Sequence, residues 1–327
     1  MKVLVTGGAG YVGSHAVIAL LRSGHEVVVY DDLSRGHAEA VPPETFVRGE
    51  LADGTALAAL LVEREIDAVV HFAAHSQVGE SVADPASYYR NNIEGTLSLL
   101  EAMRFAGVHR IVFSSTCAIY GEPERVPIAE DAPKRPVSPY GFTKLVVERA
   151  LADYARAYGF GYAALRYFNA CGASPDGGIG EDHEPETHII PLALMTALGR
   201  RDRFTIFGDD YPTPDGTCIR DYIHVDDLAD AHLLAMDRLE AGQGLCLNLG
   251  TGRGFSVREV VDSCRRVSGR EIPVEVGARR PGDPPELVAD PTLARGTLDW
   301  KARYLALDPI VETAWRWHST HENGFGD

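Results

Sequence analysis

The chain has 327 residues, 45% of them hydrophobic, and a formal net charge of -16. This length allows two domains or one large α/β unit with an appended lobe. The acidic excess excludes nucleic acid as the main partner, and no apolar run approaches the roughly 20 residues that span a membrane. Five scattered cysteines without a C-x-x-C pair predict a reduced, cytoplasmic protein with no disulfide framework and no metal site.

The first half of the sequence alternates between apolar, strand-like runs and helical stretches. The predicted strands are Lys2–Thr6, Glu26–Tyr30, Phe46–Val47, Ala68–Ala73, Ile111–Ser115 and Tyr162–Tyr167. The predicted helices are Ser14–Arg22, Thr55–Glu65, Pro85–Phe105 and Pro139–Tyr158. This alternation predicts an α/β fold, with a Rossmann-type doubly wound parallel sheet that is covered by helices on both faces.

Beyond about Cys171 the sequence changes in texture, because glycine and proline become frequent and the helices and strands follow no clear repeat. We expect residues 1–170 to form the first domain and residues 171–327 to form a smaller α/β substrate-binding lobe. One segment, around residues 220–250, is expected to return to the first domain. It contains a periodic helix at Val225–Leu239 and the strand-like run LCLNLG.

The run GGAGYVG places Gly7, Gly10 and Gly13 between the first predicted strand and the first predicted helix. Backbone N–H groups at a helix start can hold a pyrophosphate, and a Cβ on these glycines would block the approach. The spacing is G-x-x-G-x-x-G, which departs from the commoner dinucleotide form G-x-G-x-x-G. The strand, turn and helix together predict a dinucleotide site.

An acidic residue follows the second strand, where a carboxylate can accept hydrogen bonds from the adenosine ribose. Asp31 lies about 20 residues beyond the glycine-rich turn. A carboxylate there favours NAD over NADP, because the 2′-phosphate of NADP would meet a like charge. Arg35 is the opposing signal, since an arginine can accommodate that phosphate, although a loop arginine is more often solvated.

The run SPYGFTK, residues 138–144, predicts a helix start with Ser138 as its cap and Pro139 in its first turn. Tyr140 and Lys144 then lie one turn apart on the same face. The ammonium group and a positive nicotinamide ring would both favour the tyrosine anion, which can take a proton while hydride leaves the same carbon. Thr116, at the end of the fifth strand, either contacts the reacting oxygen or satisfies a strand-end backbone group.

Several motifs extend this reading over almost the whole chain: TGGAGYVGSH, HFAA, NNIEGT, SSTCAIYG, SPYGFTK, RYFNACGA, YPTPDGTCIRDYIHVDDLADAH, NLGTG and RRPGD. Together they resemble the extended short-chain dehydrogenase/reductase superfamily and, within it, the UDP-glucose 4-epimerase family. The glycine and Y-x-x-x-K signals are shared by the superfamily. The block from Tyr211 to His232 is much more particular to the epimerases.

The resemblance implies a set of residues around NAD and the reacting sugar. The catalytic residues would be Tyr140, Lys144 and Thr116. The implied cofactor-binding residues are Gly7, Gly10, Tyr11, Val12, Gly13, Asp31, Asp32, Glu50, Leu51, Phe72, Ala73, Ala74, Asn92, Ser114, Tyr140, Lys144 and Tyr167. Two departures are that Glu50 stands where related sequences usually have aspartate, and Thr116 where some have serine.

A second implied set would bind the UDP-sugar: Thr116, Tyr140, Asn169, His188, Ile189, Phe207, Arg220, Tyr222, Arg280, Asp283 and Leu287. Arg220 and Arg280 supply charge-assisted donors for a diphosphate in an otherwise acidic protein. Asp283 can accept from the uridine ribose, and Phe207 can pack on the uracil ring. Without the resemblance, Phe207 would be interpreted as a core residue, and Arg220 and Arg280 as surface salt-bridge partners.

The implied reaction is an NAD-dependent 4-epimerisation of UDP-hexoses, UDP-glucose and UDP-galactose, through a transient 4-keto intermediate. Leu287 stands where some members have tyrosine, so the pocket is expected to admit UDP-GlcNAc and UDP-GalNAc as well, unless this leucine only packs in the core. Helices Pro85–Phe105 and Pro139–Tyr158 are expected to pair in a homodimer. Alternatives are a 4-epimerase of UDP-pentoses or UDP-glucuronate, a non-catalytic NAD sensor and, less well supported, a 4,6-dehydratase.

Overall fold

The structure is a computed structural model that describes residues 1–280 and 282–326. Its strands are β1 (Lys2–Thr6), β2 (Glu26–Asp31), β3 (Phe46–Arg48), β4 (Ala68–His71), β5 (Arg110–Thr116), β6 (Gly161–Tyr167), β7 (Asn169–Cys171), β8 (Phe204–Phe207), β9 (Ile219–His224), β10 (Gly244–Leu249), β11 (Gly254–Ser256), β12 (Val274–Gly277) and β13 (Glu286–Leu287).

The α-helices are α1 (Tyr11–Arg22), α2 (Gly54–Glu63), α3 (Val78–Ala83), α4 (Pro85–Tyr88), α5 (Gly95–Ala106), α6 (Pro139–Tyr158), α7 (Ile189–Ala197), α8 (Val225–Asp237), α9 (Val257–Ser268), α10 (Thr292–Leu298) and α11 (Leu307–Thr320). A π-helical segment, Tyr89–Glu94, joins α4 to α5. Within the two described ranges, none of the helices combines the length and the apolar character that crossing a membrane requires.

Seven parallel strands form the main sheet, in the order β10-β6-β5-β4-β1-β2-β3. This confirms the predicted doubly wound parallel sheet. The chain runs outward from β1 to β3 and then continues at β4 on the other side of β1, so the strand order reverses between β1 and β4. Ligands of such sheets bind outside the carboxyl ends of the strands at this reversal.

The two faces of the sheet are covered by different helices, as the alternation of side chains along a strand requires. Along β1, Val3 and Val5 face a buried cluster that includes Val17 of α1 and Leu228 of α8. Leu4 faces the opposite cluster, which is built with α2, α5 and α6. The open edge between these two layers, where the strands end, is therefore the place available for a ligand.

The second half of the chain adds a smaller layer beside this sheet. Strand β9 pairs with β7, β11 and β13, and β8 pairs with β12. A separate apolar core lies among α7, α9 and α11 and includes Leu194, Val260 and Ile310. Strand β10 is the edge of the main sheet beside β6, and α8 packs against α1. The division into domains at residue 170 stays a prediction.

Helix α6 confirms its predicted bounds, α2 and α8 differ from theirs by one or two residues at an end, and two other helices differ more. The Ser138 hydroxyl accepts a hydrogen bond from the Gly141 N–H at 3.2 Å, with Pro139 in the first turn. Helix α1 begins at Tyr11, three residues earlier than predicted, because Gly10 of the turn is its N-cap. The predicted helix Pro85–Phe105 is interrupted by the π-helical segment.

Candidate active site

The glycine-rich turn between β1 and α1 is built around two glycines that cannot carry a side chain. Gly7 has a φ of 70°, and a Cβ on it would clash with the backbone of Ala73 after β4. A Cβ on Gly13 would clash with the Gly7 carbonyl. At Gly10 the nearest atom to a Cβ would be that same carbonyl oxygen, at 3.4 Å. The mouth of α1 is therefore free of side chains and presents N–H groups, which fits a pyrophosphate.

Asp31 ends β2 beside this turn and holds its shape. Its carboxylate accepts hydrogen bonds from the N–H of Ala9 at 3.0 Å and of Leu33 at 2.9 Å. Burial raises the pKa of this carboxyl, while the two backbone donors act in the opposite direction. The carboxylate lies at the place where the sequence predicts contact with a ribose.

The arginine that could have favoured NADP is engaged elsewhere. Arg35 donates a 2.5 Å hydrogen bond to the Glu80 carboxylate and a second one to the Glu184 carbonyl at 3.3 Å. A 2′-phosphate would have to displace this carboxylate and would also meet the like charges of Asp31 and Asp32. The residues present therefore fit NAD.

Several other predicted cofactor residues surround the same edge. Tyr11 donates through its hydroxyl to the Gly172 carbonyl at 2.6 Å, and the Asp32 carboxylate accepts from the Ser34 N–H. The side chain of Leu51 packs in the core under α5. The remaining ones lie on the first turn of α1, after β3 and after β4: Val12, Glu50, Phe72, Ala73 and Ala74.

Lys144 reaches from α6 toward the end of β5. Its ammonium group donates a 2.7 Å hydrogen bond to the Ser114 carbonyl and lies 4.8 Å from the centre of the Phe113 ring. It lies 5.9 Å from the centre of the Tyr140 ring. The Ser114 hydroxyl is bonded to the Tyr167 hydroxyl at 2.7 Å. The predicted tyrosine–lysine pair and two predicted neighbours thus converge at one point of the sheet edge.

Burial governs the ionisation of this pair. It raises the pKa of the Tyr140 phenol above its usual value, with the nearby Tyr167 acting in the same direction and a hydrogen bond with Thr116 opposing it. Burial also lowers the pKa of Lys144 to about 7. The groups of the chain do not by themselves hold Tyr140 as a phenolate. A positive nicotinamide ring beside the phenol would act in the opposite direction to burial and favour the anion.

Thr116 has one of the two roles that the sequence left open, and its contact with the reacting oxygen stays a prediction. Its hydroxyl oxygen accepts a hydrogen bond from the Ala118 N–H at 3.2 Å, which caps the short turn after β5. Its side chain is close enough to that of Tyr140 to act against the rise in the pKa of the phenol. A substrate oxygen placed between the two hydroxyl groups would have two partners.

Asn92 lies in the π-helical segment and is 2% exposed. Its side-chain amide donates to the His75 carbonyl at 3.0 Å and to the Thr143 hydroxyl at 3.1 Å, and its oxygen accepts from the His75 N–H at 2.8 Å. Asn92 thus fixes the chain after β4 against the first turn of α6. Single π-helical turns occur frequently at functional sites.

A buried histidine with hydrogen-bond partners on both ring nitrogens was not predicted from the sequence. His71 contacts the Thr6 hydroxyl at 2.6 Å and the Thr96 hydroxyl at 2.8 Å, and Thr96 donates to the Asn92 carbonyl at 2.7 Å. Because Thr96 already donates, its oxygen accepts from Nε2–H of His71, and Thr6 donates to Nδ1. Burial lowers the pKa of His71 to about 3, so the ring is neutral. The only signal in the sequence was the histidine of the HFAA motif, and such a histidine by itself is interpreted as a core residue.

The predicted sugar-nucleotide residues gather on β7, β9, β13 and the neighbouring loops. Arg220 donates a 2.5 Å hydrogen bond to the Asp283 carboxylate, and the Arg280 guanidinium lies 4.2 Å from the centre of the Phe207 ring. Asn169 donates to the Asp221 carbonyl at 2.9 Å. Two arginines, one carboxylate and one exposed aromatic ring therefore share this side of the structure.

Leu287 lies next to Arg220 in the β13–β9 pairing and packs against a small apolar cluster with Phe168 and Ile119. Ile189 begins α7, with His188 as its N-cap residue. Tyr222 is 2% exposed and packs in the core of the lobe with Leu194 and its neighbours. Its predicted contact with the substrate stays a prediction.

Comparison with known proteins gives one consistent result. Residues 3–250 match the NAD dependent epimerase/dehydratase family. A UDP-glucose 4-epimerase of Halalkalibacterium halodurans is 52% identical over 326 residues, which cover 99% of this chain and 98% of the relative.

Two solved structures extend the match to three dimensions. The UDP-glucose 4-epimerase from Brucella ovis in complex with NAD is 54% identical, with a TM-score of 0.93 and coverage of 96% of this chain and 97% of the other. The enzyme from Bifidobacterium longum, in complex with NAD+ and UDP, is 38% identical, with a TM-score of 0.94 over 99% and 100% of the two chains. The chain therefore belongs to the NAD dependent epimerase/dehydratase family and, within it, to the UDP-glucose 4-epimerases.

Proposed function

We propose that the protein is an NAD-dependent 4-epimerase of UDP-hexoses that interconverts UDP-glucose and UDP-galactose through a 4-keto sugar. The observation that carries this proposal is the convergence of Tyr140, Lys144 and Thr116 at the carboxyl end of β5, beside a glycine-rich turn that fits a dinucleotide. The full-length similarity to UDP-glucose 4-epimerases supports the substrate. NAD, when bound, accepts a hydride from the sugar and returns it to the same carbon.

The residues of the chain have three tasks in this reaction. Tyr140 takes the proton from the sugar 4-hydroxyl and gives it back after the sugar has turned over. Thr116 donates to or accepts from the same oxygen and fixes its direction. Lys144, held by the Ser114 carbonyl at 2.7 Å, keeps a positive charge next to the phenol whenever it is protonated.

A 4-epimerase must hold UDP firmly while the sugar presents its other face. Arg220 and Arg280 suit this task because they are charged donors on the substrate side, where a diphosphate would take the place of the Asp283 carboxylate at Arg220. Phe207 is 40% exposed and offers its ring as a platform for the uracil. The sugar itself would meet few strong partners, and this permits rotation about its bond to the diphosphate.

The test is to incubate the purified protein with UDP-galactose and to follow UDP-glucose formation by a coupled assay. Absorbance of bound NADH is recorded in the same sample. Formation of UDP-glucose without added nicotinamide cofactor is the expected result. If the protein converts only UDP-pentoses or UDP-glucuronate, the proposed substrate is wrong and one of these sugars takes its place. If it binds NAD but shows no turnover at all, the alternative of a non-catalytic NAD sensor is favoured.

We also propose that the protein forms a homodimer through α5 and α6. Phe105, at the end of α5, is 78% exposed, and Leu97, Phe142 and Tyr158 are exposed on the same two helices. Such side chains on two neighbouring helices suit a seam between two copies. Light scattering should give twice the chain mass for the wild type and a monomer for Phe105→Glu. Val62→Glu, at a similarly exposed valine of α2, is the control and should remain dimeric; a monomeric wild type contradicts the proposal.

A further inference from the structure

The loop between β7 and α7, residues 172–188, crosses the glycine-rich turn and contains a cluster of four titratable groups, of which only His188 belongs to the implied UDP-sugar set. Tyr11 of the turn donates to the Gly172 carbonyl at 2.6 Å, and its ring lies 6.1 Å from that of His183. From the other side, the Trp317 indole donates to the Glu181 carbonyl at 3.1 Å. The loop is thus fixed at both ends of the cluster.

The cluster consists of Glu181, His183, Glu186 and His188. One ligand atom from each of them lies within 4.8 Å of the others. The two glutamate side chains are almost fully buried, at 3% and 5% exposure, while those of His183 and His188 are 22% and 47% exposed. Two carboxylates are therefore buried together, and the histidines form the side of the cluster that is open to entry.

The contacts within the cluster differ in kind, because Glu186 Oε1 is hydrogen-bonded to His188 Nδ1 at 3.0 Å and to the N–H groups of Thr187 and His188, whereas the contacts of His183 are close but not aligned as hydrogen bonds. His183 Nδ1 lies 3.3 Å from Glu181 Oε1 and 3.7 Å from Glu186 Oε2. Yet within the described part of the chain neither this nitrogen nor Glu181 Oε1 has a partner in hydrogen-bond geometry. A buried carboxylate oxygen without such a partner is costly. The Glu181 oxygen and the His183 nitrogen are therefore open to a further partner inside the cluster.

These separations suit ligands that share one cation. Nitrogen and oxygen ligands lie about 2.0–2.2 Å from Zn²⁺, so two ligands of a tetrahedron are roughly 3.3–3.6 Å apart. The His183 contacts, at 3.3 Å and 3.7 Å, are close to this spacing, and separations in the cluster of up to 4.8 Å would shorten on binding. His188 Nδ1 is nearer, at 2.8 Å and 3.0 Å from Glu181 and Glu186, and its exposed ring would move outward by roughly half an ångström to share the ion.

We propose that these four side chains bind one divalent transition-metal cation of the Zn²⁺ type. Two imidazole and two carboxylate ligands suit Zn²⁺ better than Mg²⁺ or Ca²⁺, which prefer oxygen ligands only. The ion would neutralise the two buried carboxylates next to the turn that takes a pyrophosphate. It would also tie the loop of residues 172–188 together. The cysteine-based expectation of no metal site does not bear on this cluster, because it has no thiolate.

The experiment uses tag-free, full-length protein treated with a chelator and then titrated with Co²⁺, whose visible absorption reports four-coordinate binding. We expect one Co²⁺ per chain, displaced by one equivalent of Zn²⁺. Glu181→Gln and His183→Gln keep the shape of each side chain and should weaken binding at least about tenfold, since even indirect supports of a metal site contribute that much. His25→Gln, far from the cluster in the chain, is the matched control and should bind as the wild type does.

A second measurement guards against variants that fold poorly. Circular dichroism establishes that each variant is folded, and Zn²⁺ should raise the unfolding temperature of the wild type and of His25→Gln but not of Glu181→Gln. His188→Gln, at the most exposed of the four side chains, provides a further folded variant with weakened binding. The proposal is overturned if the wild type binds no stoichiometric Co²⁺. It is equally overturned if the cluster variants lose stability while binding Co²⁺ as before, because the cluster is then only a set of ion pairs.

Discussion

The reacting end of the candidate site, around Tyr140, and its anchoring end, around Arg220, differ in the kind of contacts that hold their side chains. At the reacting end, Tyr140 and Lys144 are 8% and 3% exposed and are held by neutral partners, the Thr116 hydroxyl and the Ser114 carbonyl. At the anchoring end, Arg220 is held by the Asp283 carboxylate. Burial without charged partners leaves protonation states easy to shift, whereas ion pairs hold a charge in place. Proton transfer and diphosphate binding need these opposite properties.

The largest effect is expected at the reacting end. Tyr140→Phe removes the proton acceptor while keeping the ring, so kcat should fall by about 10²–10⁴-fold, and NAD should remain bound because the glycine-rich turn is untouched. Steady-state turnover of UDP-galactose and the bound nucleotide content measure the two properties. Tyr158→Phe, an exposed tyrosine of the same helix, should leave kcat unchanged. Near-normal turnover of Tyr140→Phe would contradict the assigned role.

The anchoring end should respond mainly in substrate binding. Arg280→Met removes a charged donor whose hydrogen bonds to a diphosphate are each worth about 1.5–3 kcal/mol, so KM for UDP-galactose should rise roughly tenfold to a hundredfold. The neighbouring Arg279 lies over Tyr211 at 4.2 Å but is paired with Asp210. Arg279→Met is therefore the matched control, with a small effect expected. Equal effects of the two variants would argue against a specific anchor.

The features that the sequence predicted correctly depend on residues that are close together in the chain. Helix α6 has its predicted bounds because Ser138, Pro139 and the glycine after Tyr158 are cap signals within a few residues. The glycine-rich turn was likewise predictable. The π-helical interruption around Asn92 was missed, because it depends on contacts with His75 and Thr143, far apart in the sequence.

The ionisation of the catalytic pair was also beyond the sequence. Spacing alone puts Lys144 beneath Tyr140, but the degree of burial decides both pKa values and depends on the whole sheet edge. The same holds for the burial of Tyr222, which follows from the packing of α7 and α9 around it. Motifs thus identified the site, and long-range packing determined what each side chain does there.

Buried Lys144 should make stability depend on pH in the nucleotide-free chain. Its pKa is lowered from 10.5 to about 7 on folding. Between those values the unfolded chain binds a proton that the folded chain lacks, so the contribution of this residue to the free energy of unfolding increases with pH. Urea unfolding gives the free energy of unfolding of the wild type and of Lys144→Met. The value for the wild type minus that for the variant should be about 2 kcal/mol larger at pH 9 than at pH 7. A constant or opposite difference would mean that Lys144 is charged in the folded chain.

The smallest effect is expected at Leu287, where the two ends meet. Its side chain is partly buried between Arg220 on the neighbouring strand and the cluster around Phe168, so it borders the space between the anchor and the reacting centre. Leu287→Tyr fills that space with a ring and should lower kcat/KM for UDP-GlcNAc several-fold, up to about tenfold, relative to UDP-glucose.

Leu287→Met keeps the volume and should preserve the ratio of the two substrates. A wild-type enzyme that acts only on unsubstituted hexoses would show that the leucine serves packing alone. If Leu287→Tyr instead slows both substrates equally, the ring has disturbed the Arg220 anchor rather than the sugar pocket. The ratio of the kcat/KM values for UDP-GlcNAc and UDP-glucose therefore shows whether Leu287 belongs to the sugar pocket, where the ligand must turn, or to the Arg220 anchor, which must hold it.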